Sequence, residues 1–125
     1  MKINIQAKNM DLTPAIREYA EKKISTLSKF IDAEDDEIQM NIEVGKTTNH
    51  HRSGDIFRAE VLVSFPSNDK GLYAESEKDY LYSAIDDVRD EMERELIKLK
   101  GRRRSLLKKG AILFKKLLSF LPPKQ

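Results

Sequence analysis

Polar and apolar residues alternate from the start of the chain. Ile3, Ile5 and Ala7 fall on one side and Asn4, Gln6 and Lys8 on the other, the period of a short strand over residues 2–8. Thr13-Pro14 marks a helix start, a capping hydroxyl followed by a residue whose φ is already helical. Ile16, Ala20, Ile24, Leu27 and Ile31 then recur every three or four positions, one stripe of a helix predicted to end near Phe30, before the acidic turn at 32–36. Alternation returns at Ile38, Met40, Ile42 and Val44, and again at Phe57, Ala59, Val61, Val63 and Phe65. The polar stretch 46–55 reads as the loop of a long hairpin, and 66–71 as a turn.

A short fourth strand is expected over 72–75, and a second helix from about 76–79, where acidic residues suit the positive end of the helix dipole. Its stripe is Leu81, Ile85, Val88, Met92, Leu96 and Leu99, and Gly101 is the expected break. The fold class is therefore α+β: a two-layer β-α-β-β-β-α sandwich with two helices on one face of a four-stranded mixed sheet, dsRBD-like in order. The first two strands, joined through a helix, should be parallel and the others antiparallel. Residues 1–104 form the expected domain and 105–125 a basic amphipathic C-terminal tail.

Charge divides the chain in a way the hydrophobic pattern does not. No acidic residue follows Glu95, whereas ten Lys or Arg lie from Lys98 onward; the first 97 residues hold 13 basic and 21 acidic residues, a net charge of −8. An acidic body with a basic end points to a polyanionic partner, because clustered Lys and Arg displace counterions from phosphates. There is no cysteine, which excludes disulfides and cysteine-ligated metal sites and suits a reducing cytosol. The first residues carry no apolar secretion-signal core, no apolar run approaches the length of a membrane span, and a cytoplasmic location is expected.

Enzyme chemistry finds no support. His50 and His51 are adjacent, so in an extended segment they face opposite ways and cannot share a metal ion; they read as solvated loop residues or as RNA contacts beside Lys46 and Arg52. Asp35-Asp36 and Asp86-Asp87 read as solvated acidic surface, since nothing apolar is placed to raise a carboxyl pKa. The five glycines are too scattered for a phosphate-cradling loop. No cofactor, metal or small-molecule substrate is expected. On the first helix, Lys22 and Lys29 are expected to share a face opposite the Ile stripe, with Lys23 at its flank. Arg94, Lys98, Lys100, Arg102, Arg103 and Arg104 leave the end of the second helix.

These features converge on a resemblance. The element order, the lysine-bearing first helix and the basic exit from the second resemble the ribosome hibernation-promoting factor and ribosome-associated inhibitor family. The similarity runs over residues 1–104 through Ile3-Asn-Ile-Gln-Ala, Leu12-Thr-Pro-Ala-Ile-Arg-Glu-Tyr-Ala-Glu-Lys-Lys-Ile, the segment from Thr48 to Val61, Asp79-Tyr-Leu-Tyr-Ser-Ala-Ile-Asp, and Arg94-Glu-Leu-Ile-Lys-Leu-Lys. It implies a non-enzymatic protein that docks on the small ribosomal subunit, against 16S rRNA where tRNA and mRNA would lie, and keeps idle ribosomes inactive. It also implies that Lys22, Lys23, Lys29, Arg94, Lys98 and Lys100, with Arg102, Arg103 and Arg104, face rRNA. Lys46, His51 and Arg52 fall in the family's hairpin as further contacts. Two other classes remain open: a stand-alone module for structured RNA, and a membrane-surface protein led by its tail.

The tail departs from the resemblance. Leu106, Leu107, Leu113, Phe114, Leu117, Leu118, Phe120 and Leu121 fall on one side of a helical wheel, and Lys108, Lys109, Lys115 and Lys116 on the other. Pro122 stops the helix, and Gly110 weakens its middle. Three fates suit such a segment: packing on the domain or on a second copy, lying on an anionic membrane surface, or following the ribosomal channel.

Overall fold

The computed structural model describes residues 1–32, 34–47, 54–66 and 71–119. The order is β1 (Lys2–Lys8), α1 (Pro14–Ser25), a 3-10 turn (Thr26–Phe30), β2 (Gln39–Lys46), β3 (Phe57–Ser64), β4 (Leu72–Lys78) and α2 (Leu81–Ser119). The sheet runs β1-β2-β3-β4, parallel between β1 and β2 and antiparallel elsewhere.

Register explains the core. Ile5, Ile42, Val61 and Ala74 lie in one cross-strand row, with Ile3, Met40, Val63 and Leu72 in the next, all on the face the helices cover. Against these rows α2 sets Leu81, Ala84, Ile85, Val88, Met92 and Leu96, and α1 with its turn sets Ala20, Ile24 and Leu27. Burying side chains of this size contributes roughly 1.5–3 kcal/mol each, which makes the rows the main stabilising element. Gly45 is needed where β1 and β2 meet: a Cβ there would lie 2.5 Å from the Lys8 carbonyl oxygen. The opposite face is polar, with Asn4 donating to Asn41 at 2.9 Å and Gln6 to Glu43 at 2.6 Å.

The Thr13 cap forms as the sequence indicates, its hydroxyl accepting from the Ile16 N–H at 3.2 Å. Two boundaries differ. β4 continues to Lys78, and α2 begins at Leu81 instead of at 76–79. The extension is held because Ser76 pairs with Ala59 and Lys78 with Phe57, while the buried Ser76 hydroxyl donates to Asp87 at 2.6 Å. More consequentially, α2 does not break at Gly101. It runs unbroken for 39 residues through Gly101 and Gly110 to Ser119. A helical glycine costs only about 1 kcal/mol, and the Leu, Lys and Arg residues around both are good helix formers. Phe120, Leu121 and the expected stop at Pro122 lie outside the described residues.

Candidate nucleic-acid interface

The side of the domain where the 3-10 turn meets α2 gathers three of the expected cations. Lys29 from the turn, and Lys100 and Arg103 from α2, line one open cavity of about 360 Å³. Its apolar walls include Phe30, Phe65, Leu96 and Leu99, and Asp32 and Asp35 also contribute to its lining. Two cations rest on aromatic faces: Lys29 Nζ lies 5.3 Å from the Phe30 ring centroid and the Arg103 guanidinium 5.5 Å from that of Phe65. Such stacking holds a long side chain in place while leaving its N–H donors available.

Arg89 fixes this junction. Largely buried, it donates from Nε to the Thr26 hydroxyl at 2.8 Å, and from its guanidinium to Asp90 and Glu93, each at 3.0 Å. Its role is to join α2 to the turn that carries Lys29. The sequence offered no sign of it, because its partner Thr26 is 63 positions away.

The other cations distribute differently. Arg94 and Lys98 line a second depression, against β4, with Tyr73, Ala74, Glu91 and Glu95; Lys98 is 3.6 Å from Glu95. Lys22 lines a third, with Ile3, Glu18, Glu21 and Ser25. Lys22 and Lys29 thus line different depressions. The 3-10 turn advances about 120° per residue instead of 100°, so its residues are swung progressively out of phase with α1.

Lys23 has a structural partner. Its Nζ lies 3.4 Å from Asp86 and 5.7 Å from the centroid of the Tyr19 ring. Asp86 also accepts from the Tyr19 hydroxyl at 2.5 Å, so this half-exposed acid has a structural role beyond the solvated surface the sequence indicates. That bond, with burial and the Asp86 charge, pushes the Tyr19 pKa up to about 12. Asp87 is likewise engaged, by Ser76 and by Lys78 at 3.9 Å. Tyr82 packs edge-on to Tyr19, with centroids 4.5 Å apart, and exposed Tyr80 packs beside Tyr82. Lys46 pairs with Asp55 at 3.6 Å and lies 5.8 Å from the Phe57 centroid. His50, His51 and Arg52 lie outside the described residues.

Among the described residues, Lys22, Lys29, Arg94, Lys100, Arg102, Arg103 and Arg104 form no ion pair. The open sheet face is the acidic counterpart. Glu43, Glu60 and Glu75 lie in one row, and Arg58 bridges Glu60 and Glu75 beside Tyr73. The Tyr73 pKa is raised, first by burial and then by the hydrogen bond it gives Glu75. These carboxylates make the open sheet face an unfavourable side for a polyanion to approach.

Residues 3–104 match the family described as Sigma 54 modulation protein / S30EA ribosomal protein. The chain belongs to this family. It is 34% identical over 103 residues to the ribosome hibernation promotion factor of Lactococcus lactis subsp. cremoris, covering 82% of this chain and 51% of that protein. It is 32% identical over 105 residues to the ribosome-associated factor Y of Haemophilus influenzae, covering 84% of this chain and 88% of that protein. The chain thus spans about half the length of the first relative and most of the second. Among solved structures, a ribosomal subunit interface protein from Coxiella burnetii superposes with a TM-score of 0.62 at 25% identity, over 81% of this chain and 99% of that one. As a member of the S30EA family, the chain shares its overall fold with that subunit interface protein.

Proposed function

We propose that this protein is a non-enzymatic ribosome hibernation factor that binds the small subunit, against 16S rRNA in the tRNA and mRNA sites, and holds idle ribosomes inactive. The observation that carries this reading is the set of unpaired cations around the junction of the 3-10 turn and α2, on a chain whose relatives are named as hibernation and ribosome-associated factors. Lys29, Lys100 and Arg103 would take rRNA phosphates at that junction, their positions set by Phe30, Phe65 and the Arg89 staple. Arg94, Lys98 and Arg102 would contact a second stretch of backbone, and Lys22 and Arg104 would add peripheral charge. Lys23, paired with Asp86, is assigned to holding α1 on α2. Lys46 and the hairpin residues His51 and Arg52 are further contacts in the same proposal. A cytoplasmic location follows from the proposed partner.

Docking of this kind needs no reaction. A rigid domain occupying the space of tRNA and mRNA excludes them, and the phosphate contacts supply affinity without base specificity. Sedimentation with purified subunits tests it. The protein should co-sediment with small subunits and not with large ones, and tRNA bound in advance should prevent it. Equal binding to both subunits and to free structured RNA would instead favour a general RNA-binding module.

A further inference from the structure

The apolar stripe of α2 does not stop where the domain stops. Met92, Leu96 and Leu99 are followed on the same side of the helix by Leu106, Leu113, Phe114 and Leu117. Every residue from Gly101 to Ser119 is exposed, and beyond Arg103, which rests on Phe65, the segment extends away from the domain instead of packing back on it. Leu107 is 75% exposed, Leu106 68%, Leu117 65% and Phe114 63%. Isolated apolar residues on a surface are ordinary, but a contiguous face of this kind marks an interaction site.

The lysines are arranged around this face. On the helical wheel the apolar residues span an arc of about 140°, with Lys109 and Lys116 along one edge and Lys108 and Lys115 along the other. Ile112 alone falls on the polar side. No acid lies anywhere on the helix after Glu95. Pairing with a second copy would bring these like charges together, and the stripe is poorly made for a seam: its four-three spacing places Arg103 and Gly110 at positions where a coiled coil needs large apolar knobs. A nucleic acid would satisfy the lysines and leave the leucines in water. A bilayer surface with anionic headgroups satisfies both, taking the apolar arc below the headgroups while the lysines reach outward along each edge. It also requires no shape complementarity at Gly110.

We infer that residues 105–119 of α2 form an interfacial helix that lies on anionic lipid surfaces, an activity separate from the ribosome contacts of the domain. The test is flotation of the full-length protein with vesicles of phosphatidylcholine alone and of equimolar phosphatidylcholine and phosphatidylglycerol. The protein should float with the anionic vesicles and bind them at least about tenfold more tightly than the neutral ones. L113Q/L117Q, which keeps every cation, and K108Q/K109Q/K115Q/K116Q, which keeps the apolar arc, should each weaken binding by about tenfold or more. Both sets lie on exposed turns beyond the domain, so unfolding temperature and co-sedimentation with small subunits should be unchanged. Absence of flotation overturns the inference, as does flotation that survives L113Q/L117Q, since charge alone would then account for it. A dimer in sedimentation that L113Q/L117Q dissociates, without vesicle binding, overturns it in favour of a second copy. Loss of ribosome binding in these variants, without vesicle binding, overturns it in favour of a ribosomal surface.

Discussion

The Tyr19 hydroxyl donates to Asp86 across 67 positions of sequence, and the same carboxylate holds Lys23 at 3.4 Å. Two side chains of α1 are thus fastened to one acid of α2. Because Asp86 is 45% exposed, its contribution sits toward the low end of the roughly 0.5–1.5 kcal/mol typical of a hydrogen bond. Asp86→Asn and Tyr19→Phe should each lower unfolding free energy by that small amount in urea titrations. Combined, they should be less than additive.

The same bond fixes a pH dependence. The folded Tyr19 pKa, about 12, lies above the ordinary value of 10.0, so the folded state holds this proton more firmly. Its contribution is complete below pH 10 and is lost as pH rises from 10 toward 12. Urea midpoints measured across that range should fall more steeply for the native chain than for Tyr19→Phe.

Ribosome affinity should depend strongly on salt. If five or six phosphates are contacted, the logarithm of the binding constant should fall against the logarithm of salt with a slope of roughly −3 to −5. K29Q/K100Q/R103Q should flatten that slope by about two and weaken binding at every salt concentration. A Lys23→Gln change should alter it little and appear mainly as a loss of stability.

Two glycines should respond in opposite directions to the same substitution. Gly45→Ala drives a Cβ against the backbone of β1 and should destabilise the sheet by about 1–3 kcal/mol. At Gly101 nothing lies within 4 Å of the added carbon, so Gly101→Ala should strengthen the exposed helix, with a gain of about 0.5–1 kcal/mol in local helix stability. Amide hydrogen exchange along residues 98–108 would report the second effect, which global unfolding need not.

The strands were legible because the alternation at Ile3–Ala7, Met40–Val44 and Ala59–Val63 coincides with the buried rows of the sheet. The parallel pairing followed from the helix between β1 and β2. What sequence periodicity misplaced was decided by distant partners or by small energies. The residues Ser76, Glu77 and Asp79 look like a helix start, but pairing with β3 and the Asp87 carboxylate hold Ser76 in a strand. Gly101 looks like a stop, yet its intrinsic cost is too small to end a helix whose neighbours all favour continuing. The grouping of Lys29 with Lys100 and Arg103 joins residues far apart in the chain, which no local pattern of residue types announces. The aromatic seats of two of those cations, Phe30 and Phe65, read only as the ends of a helix and a strand.

The continuity of α2 makes it a rigid spacer. Its last 16 residues, beyond Arg103, extend about 24 Å from the domain, at 1.5 Å per residue. Because no hinge interrupts the helix, the direction in which Leu113 and Leu117 face is set by the packing of Ile85 and Met92, several turns away. One residue inserted after Arg104 would turn the distal face by about 100° relative to the domain while changing neither its composition nor its charge. While the helix is continuous, what the tip engages keeps one distance and one rotation from Lys100 and Arg103, so that two surfaces with unrelated chemistry are linked by a single secondary-structure element.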